Sequence, residues 1–355
     1  MKVESFGTGS CGDGSVVEVS RLRIGAAPGV VLDVLDLGAT VHRLEVTCGD
    51  DVRRNIVLGH PTAQDYLDST HYLGAAIGRY ANRIRGGSFQ LDGVSHQVGA
   101  HDRGNSLHGG PDGFDQRIWS VLEHGPDRVR LGLVSADGDQ GFPGELRAEV
   151  TYTVSGESVL IELSATTDAP TVVNLTDHSY IDLAGEGSGS AMEQTLTVQA
   201  SHYLPVDTTG IPLEGPPQPV DGTPFDLRLP TPVGQAARAD HPQVRDAHGI
   251  DHNLVLDGEG HRLAAALESA TTRTRLEVWT DAPGLQVYSG NFLDGTTPGT
   301  SGGLYRQGDG VALEPQAFPD TPRRPDFGTA LLRPGEKYRR RIEWWVTEAS
   351  LSPPA

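Results

Sequence analysis

Cysteine is nearly absent from this chain of 355 residues, which holds only Cys11 and Cys48. That excludes a disulfide scaffold and a four-thiolate zinc site, and it fits a protein whose thiols stay reduced. Lysine occurs only as Lys2 and Lys337, a compositional bias that carries no functional reading. Long apolar runs are missing as well. No stretch approaches the roughly 18 uninterrupted residues of a membrane span, and the best, at 29–41, is broken by Asp33 and Asp36. The opening Met1-Lys2-Val3-Glu4 runs into glycine-rich sequence without the apolar core of a signal peptide, so a cytoplasmic protein is expected. Positive charge is in the minority: 28 Lys and Arg face 47 Asp and Glu, a formal charge of −19. Such a surface repels phosphate backbones and anionic lipid, so neither nucleic acid nor a membrane is expected as a partner. No sequence feature marks an interface between copies, and the oligomeric state stays open.

What is abundant is chain breakers. The 45 glycines and 24 prolines make up about a fifth of the chain and would cut long helices short. Period-two alternation fills the intervals. Val129, Leu131 and Leu133 alternate with Arg128, Arg130 and Gly132, and Val159, Ile161 and Leu163 follow the same rule. So do Leu196 and Val198, Leu276 and Val278, and Ile342, Trp344 and Val346. Repetition of this kind means strands with one buried face. Asp92-Gly93 separates Ser88–Leu91 from Val94–Val98 as a tight hairpin. Asp137-Gly138, Asp221-Gly222, Asp257-Gly258 and Asp294-Gly295 mark further bends. Helix is expected only in scraps such as Pro61–Asp68, with Pro61 in the first turn. The proline-rich 205–245 region reads as a long excursion carrying short strands. The fold class is therefore all-β: one large antiparallel domain, 1–355, built from two packed sheets.

Five segments concentrate polar side chains between apolar or glycine residues. Gly78-Arg79-Tyr80-Ala81-Asn82-Arg83-Ile84 follows the apolar stretch 73–77 and offers guanidinium donors for a polyhydroxylated ligand, though alone it reads as a solvated strand end. In Asn105-Ser106-Leu107-His108-Gly109-Gly110, a histidine precedes two glycines, where backbone can approach a ligand closely. His178, in Asn174-Leu175-Thr176-Asp177-His178-Ser179-Tyr180, follows Val172-Val173 and belongs at a strand end near the core. Asp251 and His252 are adjacent, so on a strand they point to opposite faces and only one can line a given pocket. Glu314 directly follows the apolar Val311-Ala312-Leu313, where an unpartnered carboxylate is costly to desolvate, and Pro315 holds it extended. Against a catalytic metal stands the lack of any His-Glu-x-x-His motif, although folding alone decides whether His101, His108, His178 and His252 converge. No Gly-x-Ser-x-Gly elbow suggests a nucleophilic serine.

In order and spacing, GRYANRI at 78–84, NSLHGG at 105–110, NLTDHSY at 174–180, HYLPVD at 202–207, DHN at 251–253, GLQVYSGNF at 284–292 and LEPQAFPDTP at 313–322 resemble the aldose 1-epimerase (galactose mutarotase) family. The likeness spans about residues 30–346. It implies a large antiparallel β-sandwich of the galactose-mutarotase type and an isomerase of carbohydrate metabolism that interconverts the anomers of free hexoses. That reaction opens a cyclic hemiacetal, turns about C1–C2 and recloses, and needs a base at the C1 hydroxyl and an acid at the ring oxygen. By resemblance Glu314 is the base, His178 the acid, and His108 an aid at the ring oxygen. Arg83, Asn82, Asp251 and Gln286 would hold the sugar. No metal or cofactor is implied, since no electron or group is transferred. A glutamate near neutral pH is expected to be ionised, and a histidine to take a proton at modest cost. Ile181, Asp182 and Ile250 depart from the family's usual aromatic or asparagine residues and are expected to strip flat apolar surface from the pocket. Two alternatives use the same fold: an epimerase of a sugar phosphate or modified sugar, for which Arg79 and Arg83 are suggestive, and a non-catalytic carbohydrate-binding protein.

Overall fold

The computed structural model describes residues 3–349. Strands dominate, and all the strand pairs of the three large sheets are antiparallel. A nine-stranded sheet runs in the order Ser120–His124, Arg128–Ser135, Leu146–Ser155, Ser158–Thr167, Tyr338–Glu348, Thr274–Thr280, Arg262–Ser269, Thr195–Val198 and Thr231–Pro232. Its middle strand, Tyr338–Glu348, lies between Ser158–Thr167 and Thr274–Thr280, which joins the two halves of the chain. A six-stranded sheet is ordered Tyr180–Ile181, Val311–Gln316, Gly284–Tyr288, Asp251–Leu256, Ala200–Tyr203 and Gln218–Pro219. A five-stranded sheet follows chain order from Val3–Ser10 to Arg53–Asn55. In place of the two sheets expected there are three large ones among the described residues, beside five two-stranded pairs, because the N-terminal strands pair with one another in chain order and extend neither larger sheet.

The alternation behaves as read. Val129, Leu131, Val159, Ile161, Leu163, Ile342, Trp344 and Val346 are buried, with Leu133 packed at the edge of the same core. That core gathers Leu22 and Leu32 from the five-stranded sheet, Leu254 and Leu285 from the six-stranded sheet, and Val150 and Ile161 from the nine-stranded sheet. Side chains from three sheets meeting in one apolar layer make the β-sandwich, and removing that surface from water is the main force holding it. Polar ties fix the alignment: the buried Tyr152 hydroxyl donates to Ala39 O at 2.6 Å, joining the nine- and five-stranded sheets.

Asp92-Gly93 does turn the Ser88–Leu91 and Val94–Gln97 hairpin. Asp294-Gly295, expected as a bend, bends the start of the strand Asp294–Pro298: Gly295 sits at φ 89°, Asp294 Oδ1 accepts from Thr296 N, and the register slips between Asp294 and Thr297. The helix near residue 61 starts later than expected: Thr62 caps Ala63–Asp68 by accepting from Asp65 N, so Pro61 precedes the cap. The 205–245 excursion carries the expected short strands but also helices Val233–Ala237 and Pro242–Ala247. Each is too short to show a helical period. Cys11 and Cys48 are both free thiols. Among the described residues no helix is long and apolar enough to cross a membrane.

Candidate active site

The six-stranded sheet builds one wall of the site by register. Asn253 lies opposite Gln286, and Gln286 opposite Glu314. Directly opposed residues share a face and a strand repeats every two residues, so Asp251, Gln286 and Glu314 project together. His252 takes the other face. It is fully buried, with Nε2 3.1 Å from Gln243 Oε1 and its ring against Phe225. Asp251, by contrast, accepts from Gln286 Nε2 at 2.7 Å. Of the adjacent pair, Asp251 serves the pocket and His252 the core.

His178 reaches the same place from the chain entering Tyr180–Ile181, held by hydrogen bonds of its backbone to Ala75 O and Gly74 N. Its Nε2 lies 3.5 Å from Glu314 Oε1. The rings of His108 and His178 meet edge to face at 5.3 Å. His108 sits at φ 50° and Asn82 at φ 62°, a left-handed backbone that non-glycine residues seldom adopt. The strained pair is locked together: Asn82 N donates to His108 Nδ1 at 3.1 Å, and His108 N donates to Asn82 O. Because Nδ1 accepts, the neutral His108 ring carries its proton on Nε2 and presents a donor, not a lone pair.

All seven side chains proposed from sequence line one cavity of about 660 Å³: Asn82, Arg83, His108, His178, Asp251, Gln286 and Glu314. Aromatic walls come from Tyr72, Tyr180, Tyr288 and Phe292, to which sequence reasoning gave no role. Tyr180, Tyr288 and Phe292 lie inside the quoted motifs, while Tyr72 carries no such signal. The departures Ile181 and Ile250 belong to the apolar core instead, and Asp182 is buried against Gln194, Ser188 and Ala184 N. None of the three lines the cavity, so the expected loss of flat surface does not occur.

Arg79, suggestive for a phosphate from sequence, serves the fold instead. It lies buried away from the cavity, donating to the carbonyls of Pro143, Gly144, Ser135 and Ala136 and to Ser135 Oγ. Burial lowers its pKa to about 10, and the carbonyl cage keeps the charge tolerable. Arg79→Ala would leave those acceptors unsatisfied, so a loss of about 3 kcal/mol of stability is expected in denaturant titrations. Arg79→Lys, with one compact head for five acceptors, should recover less than half of it.

Burial also shifts the titrating groups. Burial, then the negative charges of Asp251 and Asp177, push the Glu314 carboxyl well above the usual range, with Arg83 opposing. Burial lowers His178 to about 4 and His108 well below its ordinary value. Burial likewise raises Asp177 to about 7. The site therefore resists both an ionised Glu314 and a charged His178, because desolvation penalises any charge there more than the partners repay. Glu314 Oε2, Gln286 Oε1 and His178 Nδ1 have no hydrogen-bond partner among the described residues. In a lined cavity such atoms are places for a ligand's polar groups.

His108, His178 and Glu314 offer ligand atoms within 4.8 Å of one another, a set compatible in type with a metal ion. The His108 tautomer opposes that use, since the bond from Asn82 N leaves its Nε2 protonated. The arrangement suits proton exchange with a hydroxylated molecule: a carboxyl and an imidazole within reach of one atom each, and donors around them.

Comparison with known proteins gives the family. The family model for aldose 1-epimerase matches residues 20–345. The chain is 42% identical to human galactose mutarotase over 311 residues, covering 86% of this chain and 88% of that one. It is 40% identical to aldose 1-epimerase of Escherichia coli strain K12 over 337 residues, covering 94% and 96%. Among solved structures, a galactose 1-epimerase from Lactobacillus acidophilus NCFM superposes with a TM-score of 0.84 at 30% identity, covering 99% of this chain and 100% of that one. A Caenorhabditis elegans aldose epimerase homologue gives 0.86 at 28% identity, covering 94% and 100%. By its family model, its relatives and its β-sandwich fold, the chain belongs to the aldose 1-epimerase family.

Proposed function

We propose that the protein interconverts the α and β anomers of free hexoses such as galactose and glucose, with Glu314 as base and His178 as acid. The observation that carries this reading is the 3.5 Å pairing of Glu314 and His178 on the wall of a cavity lined with hydrogen-bonding groups. The pair shares one proton throughout. In the form that opens the ring, His178 holds it. Glu314 takes the C1 hydroxyl proton as His178 gives its proton to the ring oxygen, and the C1–O5 bond breaks to leave a C1 aldehyde. Rotation about C1–C2 presents the other carbonyl face. The ring hydroxyl then adds back, returning its proton to His178 while Glu314 reprotonates the new C1 oxygen. Atoms and protons balance over the cycle, so the turnover calls for no cofactor.

The same desolvation that raises Glu314 makes it a stronger base once ionised, and sugar hydroxyls replace water as its partners. His108, with Nε2–H toward the cavity, steadies developing negative charge on the ring oxygen. Arg83, Asn82, Asp251 and Gln286 orient hydroxyl groups. The aromatic walls supply flat apolar surface for the sugar's C–H faces. A sugar phosphate loses the support of Arg79, which is committed to backbone carbonyls away from the cavity.

Polarimetry on freshly dissolved α-D-galactose and α-D-glucose tests the reading. Catalytic protein is expected to speed the decay to an unchanged final rotation. Faster turnover of hexose 6-phosphates would favour the phosphate alternative, and tight sugar binding without acceleration the binding-only one. Arg83→Lys is expected to raise KM by about 10-fold with a smaller change in kcat, since a point charge replaces a planar fork.

A further inference from the structure

One motif singled out in the sequence, HYLPVD at 202–207, has no part in the chemistry above, and its last residue, Asp207, opens the segment that runs on to Ile211. In the structure it forms a tight turn. Asp207 Oδ1 accepts from Thr209 N, Thr209 Oγ1 and Ile211 N, while Gly210 N donates to Asp207 O and Asp207 N to Ile211 O. The turn is tied to the pocket side of the fold, with Asn105 Nδ2 donating to Thr209 Oγ1 at 3.0 Å and Arg103 Nη1 to Thr208 O at 3.3 Å. Thr208 itself lines the cavity.

Gly210 is the point of contact. Its φ is +82°, and a Cβ placed there would fall 2.9 Å from Arg83 Nη1, 3.0 Å from Cζ and 3.1 Å from Nε. Near-equal distances to three atoms of a planar group put that position over its flat face, not at an edge. The turn's backbone therefore lies on the guanidinium with no room for a side chain. Asp102 fixes the edge of the same group, accepting from Arg83 Nε at 2.8 Å. Among the described residues Nη1 and Nη2 donate to no protein atom, although the Arg83 side chain is only 8% exposed. The group is held by face and by one edge, and its remaining donors are left for a ligand.

We propose that the Asp207–Gly210 turn is a positioning element for sugar recognition, and that Gly210 acts by setting the plane of the Arg83 guanidinium. This rests on the hexose reading above and adds to it. A guanidinium delivers its N–H groups in one plane, so tilting that plane misdirects every remaining donor together. The interconversion of O1 and O5 protons at Glu314 and His178 is untouched by such a tilt. Gly210 thus governs the capture of the sugar more than the chemical step.

A double-mutant cycle on galactose tests this, using wild type, Gly210→Ala, Arg83→Lys and the double variant. Gly210→Ala is expected to raise KM about 10-fold while kcat and the acid limb of the pH profile hardly move, as displaced positioning groups do. Alanine at positive φ is strained anywhere, so Gly222→Ala is the control: it shares a left-handed backbone, φ +70°, but has nothing within 4 Å. Its KM should stay within about 2-fold of wild type. On the Arg83→Lys background, where no planar face remains, Gly210→Ala should add less than about 2-fold. Full additivity of the two substitutions, or an equal KM rise in Gly222→Ala, would overturn the proposal. A wild type that neither binds galactose by calorimetry nor speeds its mutarotation overturns the hexose reading itself, and with it this inference.

Discussion

Glu314→Gln is expected to lower kcat by about 10³-fold or more and to raise the melting temperature at the same time. The amide keeps the shape of the side chain and its place opposite Gln286, but it cannot take the C1 proton. The stability gain follows from the raised pKa. A carboxyl whose folded pKa lies above its unfolded value stabilises the fold fully below the unfolded value, and loses that contribution as pH rises through the folded one. Burial and the charges of Asp251 and Asp177 place Glu314 in this class. Glutamine does not titrate. The difference in melting temperature should thus be near zero at about pH 4.5 and grow to about 2–5 °C by pH 8, read by calorimetry across that range. On the proposed reading, the carboxylate that takes the proton is one whose ionisation costs the fold stability. An unchanged or lowered melting temperature at pH 8 would mean that the pocket solvates the ionised group well.

His178→Asn is expected to cost about 10³-fold in kcat, and the double variant with Glu314→Gln little more than either alone, because one proton passes between the two groups. The pH profile is the sharper observation. With His178 lowered to about 4 by burial, the pair gains a second proton only near that pH. The wild-type kcat/KM should stay level from neutral pH down to about pH 5 and fall below it, in place of a limb near the ordinary histidine value of about 6.5. Stability moves in the same direction. A depressed histidine contributes stability that is present above about 6.5 and is lost as pH falls toward 4. Fluorescence-monitored folding at each pH separates lost activity from lost fold. An activity limb near 6.5 in fully folded protein would show that His178 titrates as an exposed histidine does.

Much of this was legible in the sequence, and the limits have physical causes. Strands announce themselves because a half-buried strand must alternate, as Val159, Ile161 and Leu163 do. Strand geometry also showed that only one of Asp251 and His252 could line a pocket, and the fold gives that place to Asp251. Sheet membership was not legible. The pairing of Tyr338–Glu348 between two strands far apart in sequence depends on long-range closure that no local pattern encodes. Arg79 and Arg83 sit four residues apart in one motif, yet one is sealed under carbonyls and the other faces the cavity. Only the fold separates them. The titration of Glu314 and His178 lay beyond the sequence for a related reason: reference pKa values describe solvated groups, and burial pushes the carboxyl up and the imidazole down. The turn at 207–210 lies inside the stretch read as a long excursion, and its contact with Arg83 exists only in three dimensions.

The most direct measurement is exchange NMR of the C1 signals of galactose at anomeric equilibrium, with substoichiometric wild-type protein and then with Glu314→Gln. Wild type should produce α–β exchange cross-peaks well beyond the uncatalysed background, and Glu314→Gln should return them to that background while remaining folded. Undiminished exchange with Glu314→Gln, or none with the wild type, would contradict the assignment of Glu314 and His178 as the pair that moves the proton.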